Sequence, residues 1–149
     1  MTIPVILDTN VCLDLFVFHD ARCHELKKML ETGIACAVTR EDCRNEWIRV
    51  LEYATFSLDE TARRQCISEY DALVSCRDFH KKNYAILPVC QDKDDQKFLE
   101  LAYDANAGFL LTKDKALLKL SAKTGKQHLF HIIRPEYSAR IGKICESAT

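Results

Sequence analysis

Two segments of this chain share one form. Pro4-Val5-Ile6-Leu7-Asp8-Thr9-Asn10 and Gly108-Phe109-Leu110-Leu111-Thr112-Lys113-Asp114 are each a short apolar run that gives way at once to a hydroxyl residue and an aspartate. Apolar runs of this length, without polar alternation, read as strands buried on both faces, the mark of a parallel sheet covered by helices. In open α/β sheets ligands bind just beyond the carboxyl ends of the strands. The pattern therefore sets Asp8 and Asp114 at the edge where such a fold does its chemistry.

The rest of the chain fits that frame. Residues 3–8 form the first strand, and Thr9 is placed to cap the helix that follows. Residues 21–31 are helical and Gly33 stops them; 34–38 form a second strand; Thr39 opens another helix, with Asp42 as a capping-box variant. Ser57 and Glu60 make a fuller capping box ahead of a long amphipathic helix, so that 39–82 read as two helices inserted between strands two and three. A short strand over 85–89, a helix over 92–106, a strand over 109–112, a helix over 115–123 and a last strand over 128–133 complete the pass. Strands alternating with helices predict a three-layer α/β/α sandwich around a central, mainly parallel sheet, one domain over residues 1–149.

Composition narrows the function. With 48% hydrophobic and 29% charged residues over 149 positions, and only four glycines and three prolines, the chain is an ordinary globular domain with little room for linkers. Met1-Thr2-Ile3-Pro4 lacks the basic region of a secretory signal, and no run approaches the ~18 apolar residues of a membrane helix. A cytoplasmic location is the expectation. The eight cysteines show no CxxC spacing and fall mostly at core-type positions, where free cysteine behaves as a small apolar residue. A net charge of −1 excludes a protein that grips nucleic acid through its overall charge. Lys113, Lys115, Lys119, Lys123 and Lys126 are a local exception; they are either a solvated helix face or a phosphate-binding rim, with Lys113, Lys119 and Lys123 the candidate nucleic-acid contacts.

Four acids stand out. Helical projection puts Asp95 on the same side as Phe98, Leu99 and Ala102, whereas Glu100 and Asp104 point the other way. A lone carboxylate on a core-facing stripe is costly unless something compensates it. Glu46 borders the inward face formed by Cys43, Trp47, Val50 and Leu51, a position that suits a half-solvated glutamate as well as a ligand. Asp8 alone is equally a helix cap, and Asp114 alone equally a turn residue. Together they change the balance, because converging carboxylates repel by about 1 kcal/mol per close pair in water and about 4 at an effective dielectric near 20. A divalent cation removes that penalty, and oxygen-only ligands suit Mg²⁺ or Mn²⁺ rather than zinc. Such a centre supports phosphodiester hydrolysis without a protein nucleophile. None of His19, His24, His80, His128 and His131 lies in a paired motif that would supply one.

At this point the chain resembles the PIN-domain (PilT N-terminus-like) ribonucleases, in particular those grouped as toxin components of toxin–antitoxin pairs. The likeness rests on Val5-Ile6-Leu7-Asp8-Thr9-Asn10-Val11, on Thr39 to Leu51 with Glu46, and on Asp92-Lys93-Asp94-Asp95-Gln96-Lys97-Phe98-Leu99-Glu100-Leu101-Ala102. It continues through Gly108, Leu111-Thr112-Lys113-Asp114-Lys115-Ala116-Leu117-Leu118 and Ile133-Arg134-Pro135-Glu136-Tyr137. The resemblance implies that Asp8, Glu46, Asp95 and Asp114 are catalytic metal ligands supported by Asn10 and Thr112, with Asp94 ahead of Asp92 as an outer partner. It also implies Mg²⁺- or Mn²⁺-dependent cleavage of RNA, a cognate antitoxin and a homodimer. Where the family often carries a further aspartate two residues after the one at 114, this chain has Ala116, which bears on whether a second metal is held. An aspartate-nucleophile phosphatase would need an aspartate at Asn10, and a receiver domain fits the spacing poorly. The rival from another class is a non-catalytic PIN-like binding or regulatory module.

Overall fold

A computed structural model describes residues 2–147, and their side chains through 144. Five strands form one sheet: β1 (Ile3–Leu7), β2 (Ala35–Thr39), β3 (Val74–Cys76), β4 (Phe109–Leu111) and β5 (His131–Ile133). Their order is β3-β2-β1-β4-β5 and every pairing is parallel, so the sheet is wholly rather than mainly parallel. The helices are α1 (Thr9–Phe16), α2 (His24–Thr32), α3 (Glu41–Val50), α4 (Glu60–Leu73), α5 (Gln96–Asp104), α6 (Lys115–Leu118), α7 (Ser121–Lys126) and α8 (Ala139–Ser147).

Strand alternation splits the core into the two expected layers. Val5, Leu7, Ala37, Phe109, Leu111 and Ile133 face α1–α4 and α8, where Phe16, Trp47 and Tyr70 pack ring on ring. Ile6, Val38, Leu110 and Ile132 face the opposite layer, built on Phe98, Leu99 and Ala102 of α5 and Leu117 of α6. Ile6 and Leu110 are wholly buried, as central parallel strands require. Two glycines are needed where they stand. Gly33 ends α2 at φ 81, a left-handed conformation. Gly108 lies so close to β1 that an added Cβ would meet Ile3 Cγ2 at 2.8 Å.

Several local expectations are corrected. Thr39 does not cap α3; it closes β2, and Arg40 takes the cap position and pairs with Asp42 at 2.7 Å. Asp59, not Ser57, caps α4, accepting from the Ala62 amide at 2.7 Å. The third strand is Val74–Cys76, immediately after α4, while 84–86 form a 3₁₀ turn with Pro88 just beyond. The 92–106 stretch opens with a 3₁₀ turn, Lys93–Asp95, and α5 ends where Asn106 turns to φ 50. The helix over 115–123 is two helices broken at Lys119–Leu120, and the last strand starts at His131 rather than His128. The cysteines bear out the core reading: Cys12, Cys23, Cys43, Cys66 and Cys90 are buried free thiols, Cys36 is half-buried and Cys76 exposed. Cys145 lies outside the described side chains. Among the described residues no helix is long and apolar enough to cross a membrane.

Candidate metal centre

Because β1 connects onward to β2 on one side and pairs with β4 on the other, the strand order reverses between β1 and β4. The connections that leave these two strands therefore run to opposite faces of the sheet, α1 to one layer and α6 to the other, which is where open α/β sheets bind ligands. Asp8 stands at the end of β1 and Asp114 three residues past β4. The Asp8 amide donates to the Leu111 carbonyl at 3.0 Å, which locks the end of one strand to the other.

Thr112, wholly buried, joins the two acids directly. Its hydroxyl donates to Asp8 Oδ2 at 2.7 Å and accepts from the Asp114 amide at 2.9 Å. Asp114 then caps α6, its Oδ1 accepting from the Ala116 amide at 2.8 Å. Asp8 occupies the cap position of α1 but its side chain does not cap it, being turned to Thr112 instead. Burial pushes the Asp8 carboxyl up to about 6 against the hydrogen bond from Thr112, with the charges of Asp114 and Glu46 adding to the rise.

Asp95 comes from the other wall, at the cap position of α5, where free amides favour a carboxylate. Asp92, Asp95 and Asp114 each bring an oxygen within 4.8 Å of the others. Asp95 Oδ2 is buried with no hydrogen-bond donor in reach. Two carboxylates so placed cannot both ionise cheaply. Burial, and then the neighbouring Asp114 carboxyl, push the Asp95 carboxyl up to about 8, while the same proximity lowers Asp114.

Glu46 stands apart from that triad. Its Oε2 accepts from the Thr9 hydroxyl, and its Oε1 pairs with the Lys97 ammonium at 2.7 Å. Of the supporting residues, Thr112 sits between the acids, whereas Asn10 is exposed on the first turn of α1. Asp94, favoured over Asp92 from sequence, is exposed and offers its backbone carbonyl to Lys97; Asp92 is the one whose carboxylate joins Asp95 and Asp114. Two residues were missed outright. Thr9 and Lys97 both reach Glu46, and only their proximity in sequence to Asp8 and Asp95 hinted at it. Lys113 is committed to the buried Asp14 of α1 at 2.7 Å, while Lys119 is exposed in the break between α6 and α7 and Lys123 is exposed on α7. Glu100 and Asp104 point away from the acids as projected, but Asp104 is buried, held by Arg40 at 3.3 Å and by the Tyr84 hydroxyl at 2.6 Å.

A family model described as PIN domain matches residues 4–116. The chain belongs to the PIN-domain family. No curated protein matches it. PIN domains are generally nucleases that use divalent metals, and the match takes in Asp8, Glu46, Asp95 and Asp114. It stops short of Lys119 and Lys123, and of β5 and α8 of this PIN domain. The donor set fits a hard divalent cation. All three convergent groups are carboxylates, and the orphaned Asp95 Oδ2 is a buried oxygen without a protein partner, free to accept a cation.

Proposed function

We propose that this PIN domain is a Mg²⁺- or Mn²⁺-dependent endoribonuclease that hydrolyses RNA phosphodiester bonds, acting as the toxin of a toxin–antitoxin pair. The observation that carries the reading is the convergence of the Asp92, Asp95 and Asp114 carboxylates beside the buried, partnerless Asp95 Oδ2. A proton is the smallest cation that reconciles these carboxylates, and a divalent cation would take its place with two charges instead of one.

Asp95, Asp114 and Asp92 would hold the cation, with Asp8 beside them fixed by Thr112. Bound there, Mg²⁺ or Mn²⁺ supplies Lewis acidity, lowering the pKa of a water and offsetting the charge that builds on the phosphate. The chain's own residues set the stage. The Asp8–Leu111 and Thr112–Asp114 bonds keep the strand ends in register, and burial of Asp8 keeps its carboxyl near neutrality rather than strongly acidic. Mostly exposed lysines beyond Asp114 give the RNA backbone a positive border on one side. An antitoxin and a homodimer are the partners that the family resemblance brings with it.

Calorimetric titration with Mn²⁺ at pH 7.5, in two buffers of different ionisation enthalpy, tests the reading. One site that releases protons as it fills is the expected result, because the Asp95 proton must leave. A flat titration would assign the chain to the non-catalytic binding modules of the fold.

A further inference from the structure

Both oxygens of Glu46 accept a hydrogen bond, and the donors connect the two walls of the site. Oε2 receives the hydroxyl of Thr9, the residue after Asp8. Oε1 receives the ammonium of Lys97 at 2.7 Å, and that ammonium also donates to the carbonyl of Asp94, the residue before Asp95, at 2.7 Å. A strap thus runs from α1 through Glu46 on α3 to the start of α5. The Lys97 and Glu46 side chains are only 21% and 18% exposed, so the pair is largely shielded from water. Among the described residues the carboxylates that converge are Asp92, Asp95 and Asp114; neither Glu46 nor Asp8 is one of them.

From this geometry we infer that Glu46 and Lys97 are a positioning pair that sets the separation of Asp8 from Asp95, and that Glu46 is not itself a metal ligand in this chain. Were Glu46 to ligate, its carboxylate would bring the Lys97 ammonium that it holds next to the cation. The ammonium would then face a divalent cation across a partly buried site, where like charges repel more strongly than in water. Lys97 keeps Glu46 facing α1 and α5 instead. The inference rests on the nuclease reading for its catalytic consequence, whereas the strap itself exists without metal.

The test uses Glu46→Gln, Lys97→Met, Lys97→Arg and the double variant, with Asp95→Asn for comparison. Glu46→Gln should change the Mn²⁺ Kd by less than about tenfold, the low end for an outer partner, while Asp95→Asn abolishes measurable binding. Lys97→Met should lower kcat on RNA by about tenfold with little change in KM or in Mn²⁺ affinity, and Lys97→Arg should restore most of it. If Glu46 is a ligand, Glu46→Gln weakens Mn²⁺ by far more than tenfold and Lys97→Met tightens it by freeing the carboxylate; either result overturns the inference. Thermal unfolding in EDTA separates this from the nuclease reading. The Tm losses of Glu46→Gln and Lys97→Met should be clearly non-additive in the double variant, as for residues in contact. Additive losses would overturn the strap. A wild type that binds no Mn²⁺ but shows the coupling would keep the strap and remove the nuclease.

Discussion

Asp8→Asn should make the metal-free protein more stable while destroying its activity. Asp8 is 3% exposed, and burial lifts its carboxyl from the usual 3.8 to about 6. The folded state therefore binds this proton more tightly than the unfolded chain. Below about pH 4 both states are protonated and the carboxyl costs nothing. Between 3.8 and about 6 the unfolded chain loses the proton first, so stability falls as pH rises, and above about 6 the whole penalty is present. At 1.36 kcal/mol per pH unit that penalty is about 3 kcal/mol. Asparagine removes it and its carbonyl can still accept from Thr112, but its amide group then needs a partner, which trims the gain to about 2 kcal/mol. For a chain of this size the gain is a rise of about 6 °C in Tm. Thermal unfolding in EDTA at pH 7.5 and pH 5 reads it out, and the advantage should shrink to roughly a third at the lower pH. A variant less stable than wild type at pH 7.5, or an advantage that does not depend on pH, would refute the claim that Asp8 is a desolvated carboxylate.

Other substitutions probe other parts of the account. Asp95→Ala should lose cleavage, whereas Glu100→Ala, whose carboxylate pairs with Arg40 at 3.0 Å away from the acids, should keep it; equal losses in an RNA-cleavage assay would contradict the site. Gly108→Ala should destabilise the fold by about 1–3 kcal/mol in urea unfolding, because its Cβ would meet Ile3 Cγ2 at 2.8 Å while the backbone is pinned to Pro4 and His131. Neutralising Lys119 and Lys123 together should weaken RNA binding across sequences and flatten its salt dependence by roughly 0.7 per lost phosphate contact, with Mn²⁺ affinity unchanged. An unaltered salt slope in filter binding would leave these lysines as a solvated border.

The parts of the fold that could be read from sequence were those with a strong period or a clean stop. The apolar runs at 3–7 and 109–111 have no helical alternative of adequate length, and Gly33 marks its helix end chemically. Val74–Cys76 was invisible because α4 passes into it without glycine or proline, so the helical pattern runs on unbroken. The apolar residues at 85–89 imitate a strand, yet Leu87 is buried because it covers α5, and Pro88 could not have joined a ladder. At the site, the strand-end position of Asp8 and Asp114 followed from topology, and the helical projection distinguished Asp95 from Glu100. What the projection could not supply was who else reaches Glu46. Thr9 lies 37 residues away and Lys97 lies 51, and contacts at such distances depend on how α1, α3 and α5 pack. Asp92 was ranked below Asp94 for a similar reason. A single turn of 3₁₀ rather than α-helix ahead of α5 rotates which of the two faces Asp114.

The central claim, that this acidic site cuts RNA with a divalent cation, is tested most directly by incubating a defined single-stranded RNA with purified protein. The reaction is run with Mn²⁺, with EDTA, and with Mn²⁺ and Asp95→Asn. Internal cleavage that requires Mn²⁺, stops in EDTA, returns when Mn²⁺ is restored and is absent from the Asp95→Asn protein is the predicted result. Cleavage that persists in EDTA, or that survives unchanged in Asp95→Asn, would contradict it.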